Sequence, residues 1–164
     1  MGGAAGMTGA EGMSPIDRLI ARDEIRQQIA LFALLADGDG VRPKDTRALA
    51  DRIMAPDVVV EIFRPGDLLP ITMLGRAAVA GPPLVAPPAE PTVARHYMVE
   101  TYFEELTSGT ARTITTAVHF RLTRASDGID GGLPTKITMV TYHMTWRKAA
   151  EGWLVTYNGL HADN

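Results

Sequence analysis

Apolar residues near the start of the chain recur about every three to four positions, which is the spacing of one face of an α-helix. Ser14 can cap the first turn, Pro15 suits the first helical position, and Gly38 can close the end in a left-handed conformation. The pattern therefore predicts a long amphipathic helix that ends at Asp37. Its apolar face comprises Ile16, Leu19, Ile20, Ile25, Ile29, Phe32 and Leu35.

The hydrophobic period changes after this helix. A second helix is predicted over about residues 43–54, and Pro56 stops it. Residues 58–63 form a β-branched and aromatic run, which is typical of a buried strand. Residues 75–91 hold five prolines, which cannot donate to a strand ladder. This segment is predicted to be a long loop with room for a short helix.

Four strand candidates fill the second half of the chain: residues 95–106, 110–124, 135–148 and a shorter segment, 153–160. Short turns and a glycine-rich loop at residues 125–134 connect them, and no helix fits between them. We therefore expect consecutive hairpins in an antiparallel sheet. Strands of this length in a twisted sheet must curl, and the N-terminal helices can close the hollow side.

Alternation along the two central strands predicts a buried face and a polar face. In the segment 110–124, Val118 and Phe120 share the apolar parity, whereas His119 falls on the other one. In the segment 135–148, Tyr142 and Trp146 share the parity that is expected to face the core. The pattern therefore predicts that His119 lies on the polar face of the sheet, away from any interior pocket.

The composition indicates one α+β domain over residues 14–164, preceded by a flexible tail at residues 1–13 that is rich in glycine and alanine. There is no cysteine, which excludes disulfides and suits a reducing cytoplasm, where we expect the protein. The net charge of −3 with interleaved signs argues against a nucleic-acid partner. The longest apolar run is far shorter than the roughly 20 residues that span a bilayer, so no membrane partner is expected.

The order of these features resembles the SnoaL-like group of the nuclear transport factor 2-like superfamily. The resemblance covers about residues 14–161 and rests on paired helices, the first ending in Asp37-Gly38-Asp39, a strand, a proline-rich loop, Arg95-His96 opening a long strand, and Gly152-Trp153 before the last strand. It implies a cone-shaped α+β barrel in which a curved antiparallel or mixed sheet is closed by the N-terminal helices. Members include scytalone dehydratase, hexachlorocyclohexane dehydrochlorinase, steroid isomerase and polyketide cyclases.

The resemblance also implies a catalytic pair. In dehydratase-like members an aspartate at the end of the long helix orients a histidine near the start of the following long strand, and the histidine abstracts a proton. Asp37 and His96 occupy these two places. A neutral imidazole takes up protons near neutral pH, and a carboxylate on its other nitrogen fixes the tautomer. Alternatively, Asp37 only belongs to a helix-ending turn, Asp39 is the important carboxylate, or His96 is a satisfied strand histidine.

Further side chains are expected to contact the substrate or to supply a second acid. The predicted pocket walls and contacts are Phe32, Met98, Phe120, Tyr142, Trp146 and Asn158. Related dehydratases often place a tyrosine or lysine one turn before the aspartate, where this chain is apolar. The second acid therefore stays open among Tyr97, Tyr102, Tyr142, His119, His143 and Asn158.

These features predict a cofactor-independent lyase, isomerase or cyclase that acts on a small hydrophobic carbonyl or hydroxyl compound. The alternative is a non-catalytic ligand-binding or assembly module of the same fold. The four histidines are scattered along the chain, so we expect no metal site. The resemblance further implies a homodimer formed through the outer face of the sheet.

Overall fold

A computed structural model describes residues 12–38, 43–81, 92–123 and 136–163. Asp39, the glycine-rich loop, and most of the tail and the proline-rich loop lie outside these ranges. The elements are α1 (Pro15–Asp37), α2 (Thr46–Ile53), β1 (Met54–Phe63), β2 (Ile71–Leu74), α3 (Arg76–Ala80), β3 (Thr92–Leu106), β4 (Thr110–Thr123), β5 (Lys136–Ala149) and β6 (Gly152–Ala162). Within the described ranges, no helix combines the length and apolar character that crossing a bilayer requires.

Helix α1 begins and ends where the sequence predicts. The Ser14 hydroxyl accepts a hydrogen bond from the backbone N–H of Asp17 at 3.1 Å. At the other end Gly38, with a φ of 76°, donates its N–H to the Leu34 carbonyl at 2.8 Å. The predicted apolar face is buried only in part, because Ile16, Leu19 and Ile20 are exposed and the buried residues are Ala21, Ile25, Ile29 and Phe32.

Two predicted boundaries near α2 are corrected. The helix begins at Thr46 rather than at residue 43, because Asp45 caps it by accepting the Ala48 N–H at 2.8 Å. Strand β1 begins at Met54, before Pro56, and not at residue 58. The register between β1 and β6 shifts after Met54, so Pro56 falls where a missing N–H interrupts no regular ladder. At the tail boundary, Met13 packs against the core.

The six strands within the described residues form one sheet in the order β2-β1-β6-β5-β4-β3. The predicted hairpins of β3, β4, β5 and β6 are confirmed, since each neighbouring pair is antiparallel. The sequence did not indicate the short strand β2 or the parallel pairing of β1 with β6. The α+β class, the curved sheet and the N-terminal helices are confirmed, but the sheet is not closed, since β2 and β3 form its edges.

The predicted faces of β4 are reversed. Thr113, Thr115 and Ala117 are buried, and they pair with the core residues Met144, Tyr142 and Val140 of β5, respectively. The interior accepts these threonines because their hydroxyls are hydrogen-bonded. Thr113 Oγ1 accepts from Trp146 Nε1 at 2.9 Å, and Thr115 Oγ1 lies 3.0 Å from Thr101 Oγ1. The prediction of the buried face of β4 from side-chain polarity was therefore wrong, because polar side chains can be buried when they are hydrogen-bonded.

Replacing Thr113 by valine tests this buried hydrogen bond. The substitution keeps the shape of the side chain but leaves Trp146 Nε1 without its acceptor in a fully buried position. We expect T113V to lower the free energy of unfolding, measured by urea denaturation, by about 1–3 kcal/mol. The control T116V, on the exposed side of the same strand, should change it by less than about 0.5 kcal/mol. Equal losses in the two variants would contradict this account.

Candidate active site

The C-terminal end of α1 meets the beginning of β3 through Asp37 and His96. Asp37 Oδ1 lies 2.7 Å from His96 Nδ1, and Asp37 Oδ2 accepts the backbone N–H of His96. The side chain of Asp37 is 4% exposed and that of His96 is 16% exposed. A carboxylate at the negative end of a helix is disfavoured by the helix dipole, so these two donors compensate for its position. Arg95 Nη1 also donates to the Asp37 carbonyl at 3.0 Å, which supplies a cation at the helix end.

The contact with Asp37 determines which imidazole nitrogen is available for chemistry. An ionised carboxylate only accepts hydrogen bonds, so its short contact with Nδ1 assigns the ring proton to that nitrogen. In the neutral ring Nε2 then carries an unshared lone pair. Such a tautomer is suited to accept a proton from a bound molecule, and the imidazolium that forms keeps its carboxylate partner.

His119 completes the polar part of the site. It lies opposite His96 across β3 and β4, and the two rings stack with centroids 4.3 Å apart and planes 13° apart. Burial is the main cause that lowers the pKa of His119 to about 4, and the neighbouring His96 adds to the effect. His119 is therefore neutral near neutral pH. Its Nε2 is buried and has no hydrogen-bond partner among the described residues.

The lowered pKa of His119 predicts a pH dependence of stability. An unfolded histidine takes up a proton below about pH 6.5, whereas His119 stays neutral until about pH 4, so the unfolded chain binds more protons between these values. The stabilisation is complete above about pH 6.5 and is lost as the pH falls toward about 4. Between about pH 7 and about pH 5, the unfolding free energy of H119Q should therefore fall by about 1–2 kcal/mol less than that of the parent protein.

Urea denaturation of the parent and the variant at both pH values measures this difference. The matched control is H143Q, because His143 is exposed on the opposite face of the sheet. H143Q should keep the parental pH dependence. If H119Q kept it as well, His119 would titrate as an ordinary exposed histidine.

Tyr142 lies behind the histidine pair. It is 1% exposed, and its ring centroid is 6.3 Å from that of His96 and 5.5 Å from that of Phe32, with edge-to-face geometry in both cases. Burial, and to a lesser degree the charge of Asp37, raises the pKa of the Tyr142 hydroxyl. The hydroxyl therefore remains protonated near neutral pH and can donate a hydrogen bond.

A cavity of about 690 Å³ lies against the two histidines. Its volume is within the usual range for a small-molecule site, roughly 300–1,000 Å³. The walls combine apolar side chains with several charged ones. The sequence analysis predicted a hydrophobic pocket and did not include these charged side chains. The lining residues are Ile62, Arg64, Pro65, His96, His119, Arg121, Lys136, Thr138, Val140, Leu160, Ala162 and Asp163.

The other predicted contact residues lie in several places. Asn158 is 3% exposed on the inner face of β6, and its Oδ1 has no partner within the described ranges. Met98 lines a separate groove of about 380 Å³ between α1 and β3. Trp146 is fully buried against Thr113 in the core. Phe120 lies on the outer face, where its ring centroid is 5.3 Å from that of Tyr97 in edge-to-face geometry. None of the six predicted contact residues is among the described residues that line the cavity. Tyr142 and Asn158 lie on the inner face of β5 and β6, each two positions from a lining residue, Val140 and Leu160 respectively.

Comparison with known protein families identifies the family to which the chain belongs. The sequence profile of the SnoaL-like domain matches residues 17–157, a span that contains Asp37, His96 and His119. The chain belongs to the SnoaL-like domain family. The resemblance expected from the sequence, to the SnoaL-like group of the nuclear transport factor 2-like superfamily, is thereby confirmed. No curated protein matches this SnoaL-like domain in sequence.

Solved structures share the fold of this SnoaL-like domain. An NTF2-like protein with a cystatin-like fold from Novosphingobium aromaticivorans is 25% identical, with a TM-score of 0.60 over 95% of this chain and 91% of that one. ActVI-ORFA from Streptomyces coelicolor is 15% identical, with a TM-score of 0.62 over 87% and 96% of the respective chains. A type 2 hexachlorocyclohexane dehydrochlorinase, LinA, is 16% identical, with a TM-score of 0.62 over 92% and 90%. At these identities the last two show the fold alone.

Two features of this SnoaL-like domain were missed from the sequence. His119 was placed on the polar face because its strand neighbours Val118 and Phe120 are apolar. The pairing of His119 with Thr138 on the inner face of β5, and with His96 of β3, reveals its direction. The charged residues that line the cavity, Arg64, Arg121, Lys136 and Asp163, were also missed, because they come from the ends of different strands. Among the described residues, no group of three or more histidines and carboxylates is arranged to hold a metal ion.

Proposed function

We propose that this protein is a cofactor-independent lyase, isomerase or cyclase whose reaction begins with the removal of a proton from carbon. His96 Nε2 is the base, and Asp37 orients the ring. The observation that carries the proposal is the 2.7 Å contact of Asp37 with His96 Nδ1, at the wall of a cavity of about 690 Å³. This arrangement leaves the unshared lone pair of the imidazole available to a bound molecule.

A β-hydroxy ketone illustrates the proposed step. His96 Nε2 takes the proton from the carbon between the carbonyl and the hydroxyl-bearing carbon. The electron pair of the broken C–H bond forms the C=C bond as the C–O bond breaks. The leaving hydroxide then takes the proton from the imidazolium, so the products are an unsaturated ketone and water, with no net oxidation. Asp37 stabilises the imidazolium between the two proton transfers.

Two buried polar groups, on the same face of β5 and β6 as the lining residues Val140 and Leu160, are proposed to contact the substrate. Tyr142 keeps its proton because burial raises its pKa, so its hydroxyl is proposed to donate a hydrogen bond to the substrate carbonyl as negative charge develops on that oxygen. Asn158, whose buried Oδ1 has no partner among the described residues, is proposed as a second polar contact. Phe32 supports the Tyr142 ring from the side of α1.

The relatives support the reaction class. One of the solved structures with this fold is a dehydrochlorinase, and that enzyme name denotes an elimination. An elimination that starts at a carbon acid needs a base and a polarising donor, but no redox cofactor. The proposed roles of His96 and Tyr142 meet these two needs.

The experiment uses the aldol adduct of benzaldehyde and acetone, whose dehydration yields the ultraviolet-absorbing ketone benzylideneacetone. We expect the protein to accelerate this dehydration above the rate in buffer. In D₂O it should also catalyse exchange of the acidic carbon-bound protons of benzylacetone, followed by proton NMR. If neither probe reacts faster with the protein than without it, the proposal of a carbon base is wrong.

A non-catalytic assembly module is the second candidate, and the outer face of the sheet favours it. Tyr97, Tyr102, Ile137 and Met139 are between 48% and 65% exposed there, and exposed apolar patches of this kind mark interaction surfaces. We propose that this face forms a homodimer, which is compatible with either function. Sedimentation that shows a monomer at micromolar concentration would contradict the dimer.

A further inference from the structure

The last residue of α1 is held by two consecutive residues of β3. Arg95 donates from Nη1 to the main-chain carbonyl of Asp37 at 3.0 Å. His96 donates its backbone N–H to one carboxylate oxygen of Asp37, and its Nδ1 lies 2.7 Å from the other. Arg95 therefore fixes the main chain of this aspartate, whereas His96 fixes its side chain.

The strand order explains how two neighbouring side chains reach the same residue. Arg95 lies opposite Phe120 on the outer face of the sheet, whereas His96 lies opposite His119 on the inner face. Among the described strands, β3 is at an edge of the sheet. The 3.0 Å contact shows that the long Arg95 side chain passes around this edge to reach α1. The end of the helix is therefore held from both faces of β3.

The carbonyl that Arg95 contacts needs a donor from outside the helix. The last four carbonyls of an α-helix have no hydrogen-bond partner within it. In α1, the Leu35 carbonyl accepts the Asp45 N–H at 2.8 Å. Arg95 provides the corresponding hydrogen bond for Asp37, the final residue of α1, which is where helices fray.

We propose that Arg95 is a positioning residue for the Asp37–His96 pair. Arg95 is not among the described residues that line the cavity, so it acts through Asp37 rather than on a bound molecule. Without its hydrogen bond the last residue of α1 frays, and the Asp37 carboxylate moves away from Nδ1 and the backbone N–H of His96. A misplacement of about 1 Å in an active site can lower a rate by about 10²-fold.

Hydrogen exchange at the His96 amide tests this inference without a substrate, because Asp37 accepts that N–H. We expect the amide to exchange about tenfold faster or more in R95Q than in the parent, since the helix end opens more often. NMR of the ring should also show mixed neutral tautomers of His96. R95K keeps a donor and should retain most of the protection. Parental exchange in an R95Q variant that is folded by circular dichroism would overturn the inference.

The matched control is R76Q. Arg76 also donates to a main-chain carbonyl, that of Met54, at 2.9 Å from Nε and 2.6 Å from Nη2. Neither residue is among the described residues that line the cavity. R76Q should therefore leave exchange at the His96 amide as it is in the parent. If R76Q accelerated this exchange as much as R95Q, a general loss of stability would be the cause, and Arg95 would have no positioning role.

The effect on the reaction rests on the proposed function. R95Q should lower kcat for the aldol adduct of benzaldehyde and acetone about 10- to 100-fold and change KM by less than about threefold. A lower kcat with the His96 amide still protected would overturn the positioning role. Faster exchange in R95Q, with no turnover by the parent protein, would support the positioning role and count against the proposed function alone.

Discussion

The variant H96Q should dehydrate the aldol adduct of benzaldehyde and acetone about 10²- to 10⁴-fold more slowly in kcat than the parent, the usual contribution of a general base. Glutamine can still accept or donate a hydrogen bond beside Asp37, but its amide does not take up a proton near neutral pH. The apolar lining of the cavity is unchanged, so we expect KM to change much less than kcat. Steady-state kinetics from the absorbance of benzylideneacetone measures both constants.

The control for this variant is H143Q. His143 is exposed on the face of the sheet opposite to the cavity, so its loss removes a histidine without touching the site. H143Q should retain the parental kcat. If H96Q remained folded by circular dichroism and kept the parental rate, His96 would not be the base.

We expect D37N to lower kcat by about 10²- to 10⁴-fold as well, through a change in His96 rather than a loss of contact with the substrate. The two carboxylate oxygens of Asp37 accept the backbone N–H and Nδ1 of His96. An asparagine amide can accept only with its oxygen, so its NH₂ group faces one of these two positions. If it faces Nδ1, the ring proton moves to Nε2 and the base is lost.

The matched control for D37N is D45N. Asp45 is also a helix-terminal aspartate that accepts a backbone N–H, in its case that of Ala48, and asparagine caps helices about equally well. D45N removes the same charge away from the cavity, so its kcat and its thermal midpoint should match those of the parent. Parental kcat in a folded D37N variant would show that the carboxylate does not set the tautomer.

The parts of this site that follow local rules were predictable from the sequence. Helix signals around Ser14 and Gly38 locate both ends of α1, and therefore place Asp37 at a helix terminus. The position of His96 near the start of a long strand follows from the alternating segment after the proline-rich loop. Both predictions depend on contacts within a few residues, which are encoded directly in the chain.

Features that depend on pairing between distant segments were not predictable in the same way. The inward direction of His119 follows from its register with Thr138 and His96, whereas alternation of polar and apolar residues indicated the opposite face. Thr113 and Thr115 are polar residues on the buried face, so the alternation indicated the wrong face. They can be buried because their hydroxyls form hydrogen bonds with Trp146 and Thr101, respectively. The parallel pairing of β1 with β6 likewise exists only in the folded sheet.

The proton position on the His96 ring tests the central claim most directly, and it requires no substrate. Two-bond hydrogen–nitrogen NMR couplings of the ¹⁵N-labelled protein distinguish the two neutral tautomers of each histidine. The Asp37 contact predicts that neutral His96 carries its proton on Nδ1 and has a bare Nε2, and that D37N reverses or mixes this assignment. A proton found on His96 Nε2 in the parent protein would contradict the account, because the proposed base would then have no lone pair facing the cavity.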